Sequence, residues 1–198
     1  MDSQNAINIL VAINLLVSMS ANFSGARKGL KISITKVVER PVTFLQAVPP
    51  NVAALVLVLT IISISNLGTL TAEYESKFFT VRIVGLIMFV VFSWLQVVAY
   101  KSLKNSYAQE VVIMKDHKLI TNGIYKFIRH PQYLSQLLSD LGVGLALLSY
   151  IVVPVVVLIE LPLFIMRAVL EDKLLQKYFG EEYSAYKKRS GFIIPFVG

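Results

Sequence analysis

The 198-residue chain contains no cysteine, which excludes disulfide bonds, thiolate nucleophiles and zinc sites built on cysteine. It has only two histidines, His117 and His130, so a histidine-rich metal centre is not expected either. We therefore predict that the protein binds no metal ion.

The motifs of soluble nucleotide-binding and hydrolytic enzymes are also absent. The chain has no Gly-x-Gly-x-x-Gly after a strand, no phosphate-binding loop, no Gly-x-Ser-x-Gly elbow and no His-Glu-x-x-His. The sequence Gly142-Val143-Gly144 lies inside an apolar run and indicates close helix packing. The function must belong to another class of protein.

Charged residues are scarce, at 16% of the chain against 56% hydrophobic residues, and the mean hydropathy is +0.67. They cluster between runs that are nearly free of charge. Because about 20 apolar residues are needed for a helix to cross a bilayer, this pattern is typical of an integral membrane protein. The predicted spans are residues 5–23, 51–70, 81–100, 133–148 and 151–168.

These runs predict an all-α, polytopic membrane bundle of about five transmembrane helices. The last two runs are separated so briefly that we expect them to form a helical hairpin. Asp2 precedes the first run and no basic residue does, which favours a retained span over a signal peptide. We predict a three-span membrane region over residues 1–108 and a functional region over residues 109–198.

The net charge of +7 has a simple explanation in a membrane protein. Basic residues follow the first and third spans and fill the C-terminus, as the positive-inside bias requires for cytosolic segments. The loop after the first span carries Arg27, Lys28, Lys31, Lys36 and Arg40, which suit anionic lipid head groups. We therefore expect no nucleic-acid partner, and a cytosolic location for residues 101–131 and for the C-terminal tail.

A polar and aromatic cluster lies between the third and fourth spans, at residues 117–133. It holds both histidines, a glycine, two tyrosines, an arginine and a proline. Gly123 permits a turn, and Pro131 breaks regular structure where the fourth span begins. Such a cluster beside a membrane bundle is a candidate active site.

Ionisable residues inside predicted spans are further candidates. Asp140 lies at helical spacing from Gln132, Ser135, Gln136 and Ser139, and this polar stripe fits an interhelical contact as well as it fits a substrate-facing surface. In the third span, Gln96 favours an interhelical hydrogen bond.

In the fifth span, Glu160, Arg167 and Glu171 share one helix face, and Arg167 and Glu171 are spaced as an i,i+4 pair. Taken alone, such a pair at the end of a span favours a plain salt bridge. Pro162 predicts a kink near Glu160, because proline removes a backbone donor.

Two groups of residues resemble the isoprenylcysteine carboxyl methyltransferase family. The first comprises His117-x-Leu119-Ile120, Gly123-Ile124-Tyr125 and Arg129-His130-Pro131-x-Tyr133; the second comprises Arg167-x-x-x-Glu171-Asp172, Phe179-Gly180-Glu181-Glu182-Tyr183-x-x-Tyr186 and Pro195-Phe196. The resemblance covers residues 115–196, and the order of the pieces is more specific than any one of them. One departure is Asp172, where relatives often have glutamate.

The resemblance implies an enzyme that uses S-adenosyl-L-methionine, with a cytosolic cofactor-binding loop and a C-terminal helix. The residues implied to bind the cofactor are His117, Lys118, Leu119, Ile120, Gly123, Tyr125, Arg129, His130, Pro131, Gln132, Tyr133 and Glu171. Glu171 would hold the ammonium group of the cofactor, and Arg167 would orient a substrate carboxylate, with both residues counted as catalytic. Asp140 is a second candidate for substrate binding.

Methylation of a prenylcysteine carboxylate is the first functional expectation, with a prenylated or other lipophilic substrate. A carboxylate is ionised at neutral pH, so no general base is required, and an arginine can orient it. A phospholipid or other lipid N- or S-methyltransferase is the alternative enzyme, in which Asp140 or Glu160 would accept a proton. A non-enzymatic membrane carrier or assembly subunit is the alternative of a different class. The oligomeric state is left open.

Overall fold

A computed structural model describes residues 6–21, 37–103, 106–195 and 197. The helices in this part of the chain are α1 (Ala6–Ala21), α2 (Val48–Ile64), α3 (Glu73–Lys77), α4 (Phe79–Leu103), α5 (Pro131–Ala146), α6 (Val152–Val155), α7 (Leu161–Phe179) and α8 (Glu181–Lys187). Shorter elements are strands β1 (Val37–Glu39) and β2 (Ile113–Met114), 3-10 turns at Phe44–Gln46 and Gly123–Lys126, and a π-helical turn at Val156–Glu160. Arg27, Lys28, Lys31 and Lys36 lie outside the described residues.

Three described stretches are long and apolar enough to cross a membrane: Phe44–Ile64, Phe79–Leu103 and Val152–Phe179. They correspond to the second, third and fifth predicted spans, so a multi-pass integral membrane protein is confirmed. Helix α5 has 16 residues, and α1 as described is similarly short. Sixteen residues rise only about 24 Å, less than the roughly 30 Å of hydrocarbon in a bilayer. The count of five spans and the hairpin stay predictions.

Two helix boundaries differ from the sequence-based expectation. Helix α2 begins at Val48 and includes Pro49 and Pro50, whereas the predicted second span begins at residue 51. Proline is tolerated in the first helical turn because its missing N–H has no partner there. Helix α7 continues to Phe179, past the predicted end of the fifth span at Ala168, and ends where Gly180 adopts a φ of 55°.

The bundle is not entirely helical, which corrects the all-α prediction in one detail. Strand β1 pairs antiparallel with β2, with Val37 opposite Met114 and Glu39 opposite Ile113. Gln46 connects the same two segments through a second pair of hydrogen bonds. Its side chain donates to the carbonyl of Val111 at 2.9 Å and accepts from the N–H of Val111 at 2.9 Å. The segment after α4 is therefore held against the start of α2.

Helices α4 and α5 approach each other so closely that their backbones touch. A Cβ atom on Gly142 would lie 2.6 Å from the backbone nitrogen of Phe89 and 2.8 Å from the carbonyl oxygen of Gly85. A Cβ atom on Gly85 would lie 2.5 Å from the backbone nitrogen of Ala146. Only glycine fits at such distances, as the apolar Gly-x-Gly sequence indicates.

A buried arginine ties four helices together at the end of the bundle away from the polar cluster. Arg82 of α4 donates to the carbonyl of Ala146 at 2.9 Å and to the side chain of Asn8 at 3.2 Å. It also forms an ion pair with Glu75 of α3 at 3.1 Å. A charge in a membrane span is stable only when it is paired in this way.

The helical stretch Val152–Phe179, which includes Glu160, departs from α geometry just before Pro162. The π-helical turn Val156–Glu160 lies between α6 and α7, and Pro162 occupies the first turn of α7. Because proline lacks an N–H and its ring crowds the preceding turn, regular α hydrogen bonding is interrupted there. The π-helical turn shows an interruption of α geometry at the predicted position, while the kink itself stays a prediction.

Candidate functional site

A cavity of about 290 Å³ lies where the polar segment 106–130 meets helices α2, α4, α5, α7 and α8. Most of the site residues predicted from the sequence line this cavity: His117, Lys118, Leu119, Ile120, Tyr125, Arg129, His130, Gln132, Tyr133, Arg167 and Glu171. Gly123, Pro131 and Asp140 lie outside the lining. The helices also contribute Pro50, Ala53, Gln96 and Tyr100, so both halves of the predicted 1–108 and 109–198 division meet here. That division stays a prediction.

Two of the predicted site residues within 117–133 lie outside the lining and shape its backbone. Gly123 has a φ of 60°, in the left-handed region that favours glycine, and it begins the 3-10 turn that carries Tyr125. Pro131 is the first residue of α5, where its missing N–H has no partner. The side chain of Tyr125 is buried, and burial raises the pKa of Tyr125 well above its usual range.

Arg129 fastens the C-terminal tail to the wall of the cavity. Its guanidinium donates to the carbonyl of Lys187 at 3.2 Å and to that of Ser190 at 2.5 Å. The backbone N–H of Arg129 donates to the carbonyl of Gly191 at 2.9 Å. These contacts show how the tail completes the site, which the sequence indicates only through the order of its motifs.

His130 lies between two carboxylates of α7. Its Nε2 is 2.7 Å from Oδ1 of Asp172, and its Nδ1 is 3.6 Å from Oε2 of Glu171. The imidazole is 5.6 Å from the ring of Tyr133 in a stacked arrangement. Burial lowers the pKa of His130, but the hydrogen bonds to Asp172 and Glu171 outweigh burial, so the pKa is raised overall.

Tyr133 stands between Arg167 and Glu171. The Nε of Arg167 donates to the hydroxyl of Tyr133 at 3.1 Å, and that hydroxyl donates to Oε2 of Glu171 at 2.8 Å. Among the described residues, no ion pair within 4.0 Å joins Arg167 to Glu171, so the expected direct pair is wrong. Helical spacing places both residues on one face, and a side chain from α5 fills the space between them.

Three further N–H groups of Arg167 hold the backbone over the cavity. Nη1 donates to the carbonyls of Leu45 at 2.8 Å and Gln46 at 3.3 Å, and Nη2 donates to the carbonyl of Gln109 at 2.5 Å. Arg167 is 5% exposed, so these carbonyls replace water around its charge. Nothing in the sequence marks Leu45, Gln46 or Gln109 as partners of Arg167.

The polar stripe of α5 forms a chain of side-chain hydrogen bonds. Gln96 of α4 donates to Gln136 of α5, which confirms the predicted interhelical bond. Gln136 in turn donates to Oδ2 of Asp140 at 2.5 Å. Gln136 lines the cavity and Asp140 does not, because Asp140 lies one helical turn further from its mouth. Substrate binding by Asp140 stays a prediction without support from this arrangement.

Three buried groups have no hydrogen-bond partner within the described part of the chain, apart from the carboxyl group of Asp140 beside the third. They are Nδ1 of His117, Nε2 of Gln132 and both carboxyl oxygens of Glu160. Burial lowers the pKa of His117, although the carboxylate of Glu171 acts in the opposite direction. Because buried polar atoms are normally hydrogen-bonded, the first two indicate where polar atoms of a ligand would bind.

The described residues contain no group of three or more histidine, cysteine, aspartate or glutamate side chains placed to hold a metal ion. The cavity instead combines a carboxylate, a guanidinium, a histidine between two acids and several tyrosines. This set suits an organic ligand that carries a positive charge and an aromatic ring.

The sequence model of the isoprenylcysteine carboxyl methyltransferase (ICMT) family matches residues 84–177, just under half of the chain. Proteins described as protein-S-isoprenylcysteine O-methyltransferase from Tribolium castaneum and Schizosaccharomyces pombe are each 32% identical, over 41% and 42% of this chain. The relative from Rattus norvegicus is 32% identical over 57% of the chain. The matches cover 29%, 35% and 40% of these relatives, so the chain spans less than half of their length.

A solved structure described as the eukaryotic intramembrane Ras methyltransferase ICMT has a similar fold. The TM-score is 0.57, with 24% identity, and the match covers 76% of this chain and 53% of that one. The membrane fold is thus shared. Together with the sequence match over residues 84–177, this confirms the resemblance to the isoprenylcysteine carboxyl methyltransferase family.

Proposed function

We propose that this protein transfers a methyl group from S-adenosylmethionine to a lipophilic acceptor whose reacting group is a carboxylate, as in an isoprenylcysteine. The arrangement that carries this proposal is the Arg167–Tyr133–Glu171 chain in the wall of the cavity. It provides one anionic and one cationic group close together, as a cationic methyl donor and an anionic acceptor require. The names of the relatives agree with this reaction.

The residues of the cavity fit the cofactor. Glu171 offers a carboxylate for the ammonium group, and its Oε2 is held by the hydroxyl of Tyr133. The unpaired Nδ1 of His117 and Nε2 of Gln132 are available to the adenosine moiety. When bound, S-adenosylmethionine supplies a methyl group on a positively charged sulfur.

Methyl transfer of this kind depends on alignment and exclusion of water more than on proton transfer. A carboxylate acceptor is already ionised at neutral pH, so the chain needs to supply no general base. Tyr133 fixes the distance between the two charged side chains, and Phe164 packs against its ring at 5.4 Å. The protein therefore acts mainly by holding two ligands in line in a site shielded by apolar side chains.

Counting only partners in the described part of the chain, Arg167 has one N–H left for an acceptor. Of its five N–H groups, one binds Tyr133, two bind the carbonyls of Leu45 and Gln46, and one binds Gln109. The acceptor carboxylate would take the second N–H of Nη2, or would displace the carbonyl of Gln109. The same arginine would then both orient the acceptor and hold the segment that covers it.

The cavity would open to the cytosol. Lys118 lies in its lining, Lys101 lies in the last turn of α4, and Lys187 lies in the last turn of α8. Basic residues at this end of the bundle agree with the positive-inside bias. The lipid part of the acceptor would enter from the bilayer between the helices.

Two measurements test the proposal. Calorimetry of the purified protein with S-adenosylhomocysteine should detect binding, and no binding at millimolar concentration would favour a carrier or assembly subunit. Methyl transfer to a prenylated thiol-acid should then fall strongly in Arg167→Ala. Gln46→Ala is the matched control, since it loosens the covering segment at Val111 and keeps the arginine. Equal losses in both variants would refute the carboxylate-binding role of Arg167.

A second candidate is a lipid N-methyltransferase, which the carboxyl pair of Glu160 and Asp140 favours. Methylation of a neutral amine releases a proton, whereas methylation of a carboxylate releases none. Glu160 is fully buried, and among the described residues its carboxyl group has that of Asp140 as its partner, which in turn accepts from Gln136 in the cavity wall. With phosphatidylethanolamine as acceptor, Glu160→Gln should lower turnover at least tenfold. With a prenylcysteine acceptor, the same variant should retain the wild-type rate.

A further inference from the structure

Asp172 is a buried residue next to the candidate site, and its carboxylate contacts four polar side chains. Its Oδ1 accepts a hydrogen bond from the hydroxyl of Tyr183 and lies 2.7 Å from Nε2 of His130. Its Oδ2 is 3.4 Å from Nε of Arg129 and 3.7 Å from Nζ of Lys187. Asp172 does not line the cavity, so any influence on a ligand must pass through another side chain.

His130 is the side chain through which that influence can pass. It does line the cavity, and its ring is 2% exposed between Asp172 and Glu171. The ring also contacts Phe192 edge-on, with centroids 5.1 Å apart, so it has little freedom to turn. The 2.7 Å contact to Asp172 is much shorter than the 3.6 Å contact to Glu171. Asp172 therefore determines which nitrogen carries the first proton.

We propose that Asp172 is a positioning residue that keeps His130 protonated at Nε2, so that Nδ1 faces Glu171 and controls the charge that Glu171 presents to the cofactor. This inference rests on the proposed function, because Glu171 receives the cofactor's ammonium group only there.

The consequence follows from the geometry of the ring. With Asp172 accepting from Nε2, the second proton of His130 can only bind at Nδ1, opposite Glu171. In that cationic form His130 pairs with Glu171 and competes with a ligand ammonium group. In the neutral form the bare Nδ1 faces Glu171, and the full carboxylate charge is available to the ligand.

We expect the affinity for the cofactor to increase with pH. Below the pKa of His130, cofactor binding must expel a proton or tolerate a second cation, so affinity is low. Affinity then rises as the pH increases through that pKa. The hydrogen bonds to Asp172 and Glu171 raise the pKa of His130 against burial, so the rise should lie above the ordinary histidine value. The charged or titratable groups around the ring are Glu171, Asp172, Arg129, Tyr133, Tyr183 and Lys187.

Calorimetric titration of the full chain with S-adenosylhomocysteine from pH 5.5 to 8.5 tests the proposal. The wild type should bind about tenfold more tightly at the upper end, with a midpoint above 6.5. Asp172→Asn should shift the midpoint down by about one pH unit, because the histidinium loses its closest carboxylate. Asp172→Glu, which keeps the charge, should restore the wild-type profile. An unshifted midpoint in Asp172→Asn, or a loss equal at every pH, would overturn the proposal.

A second measurement does not depend on cofactor binding. The chain has only two histidines, so ¹⁵N NMR spectra of the imidazoles can be assigned with the single variant His117→Gln. Neutral His130 should carry its proton at Nε2, and it should titrate above 6.5. A proton at Nδ1, or titration below 6.5, would overturn the inference even if Asp172→Asn failed to fold. If the wild type binds no S-adenosylhomocysteine while this NMR signature is present, the proposed function fails and the positioning of His130 stands.

Discussion

Replacement of Tyr133 by phenylalanine tests the central contact of the candidate site. The hydroxyl accepts from Arg167 at 3.1 Å and donates to Glu171 at 2.8 Å, so the variant deletes one oxygen and two hydrogen bonds to charged groups. The ring itself would stay in place, because its packing against Phe164 and His130 does not involve the hydroxyl. The variant thus separates the electrostatic role of Tyr133 from its packing.

The expected loss follows from the partners left behind. A hydrogen bond to a charged group contributes about 1.5–3 kcal/mol, and every 1.4 kcal/mol is a factor of about ten in affinity. Without the hydroxyl, the carboxylate of Glu171 is no longer held in position, and Arg167 becomes free to reach Glu171 directly and neutralise it. Both changes weaken the attraction for a cationic ligand. We expect Tyr133→Phe to bind S-adenosylhomocysteine about 10- to 100-fold more weakly.

Calorimetry at pH 7.5 measures this loss. Tyr150→Phe is the matched control, since Tyr150 is 60% exposed and lies outside the lining of the cavity. It should bind like the wild type. An affinity of Tyr133→Phe within twofold of the wild type would refute the proposed link between Arg167 and Glu171, provided that the control behaves as expected.

Three further predictions concern stability, each measured by equilibrium unfolding in mixed detergent micelles. Gly142→Ala should lower the free energy of unfolding by about 1–3 kcal/mol, because the new methyl group meets rigid backbone of α4. Gly180→Ala should cost less, about 1–2 kcal/mol, because its φ of 55° is strained for alanine while nothing lies within 4 Å of the added Cβ. Glu75→Gln should cost about 1.5–3 kcal/mol, because buried Arg82 loses its carboxylate partner, and no loss would contradict that role.

Much of the bundle could be predicted from the sequence, because hydropathy reports directly on the bilayer as solvent. The cores of the second, third and fifth apolar runs correspond to long helices. The helix boundaries were less predictable. Two adjacent prolines such as Pro49 and Pro50 are as compatible with a loop as with the first turn of a helix, and the structure places them in the first turn of α2. The short pairing of β1 with β2 could not be predicted, because the register of strands of three and two residues depends on tertiary contacts.

The sequence could predict which residues gather at the cavity, but it could not predict the hydrogen bonds among them. The family resemblance grouped His130, Tyr133, Arg167 and Glu171, and the fold places all four in the lining of one cavity. The pairing within the set depends on which third side chain occupies the space between two others. Tyr133 replaced the expected Arg167–Glu171 pair because α5 crosses α7 at this level, and spacing along a single helix carries no information on such a crossing.

For the polar stripe of α5, residue spacing alone does not show whether a polar side chain contacts another side chain or faces a substrate. The free-energy cost of burying a polar group favours a contact with another side chain. Spacing left Asp140 balanced between an interhelical contact and a substrate-facing surface, and the bond from Gln136 favours the contact. Among the described residues, Glu160 has only the carboxyl group of Asp140 as a partner, and an unpaired polar group in a membrane span costs several kcal/mol. Two neighbouring carboxyl groups in hydrocarbon cannot both be ionised, so the pair retains at least one proton. The other carboxylate would accept the proton that amine methylation releases, whereas carboxylate methylation releases none, so the effect of Glu160→Gln on amine and carboxylate acceptors separates the two enzyme candidates most directly.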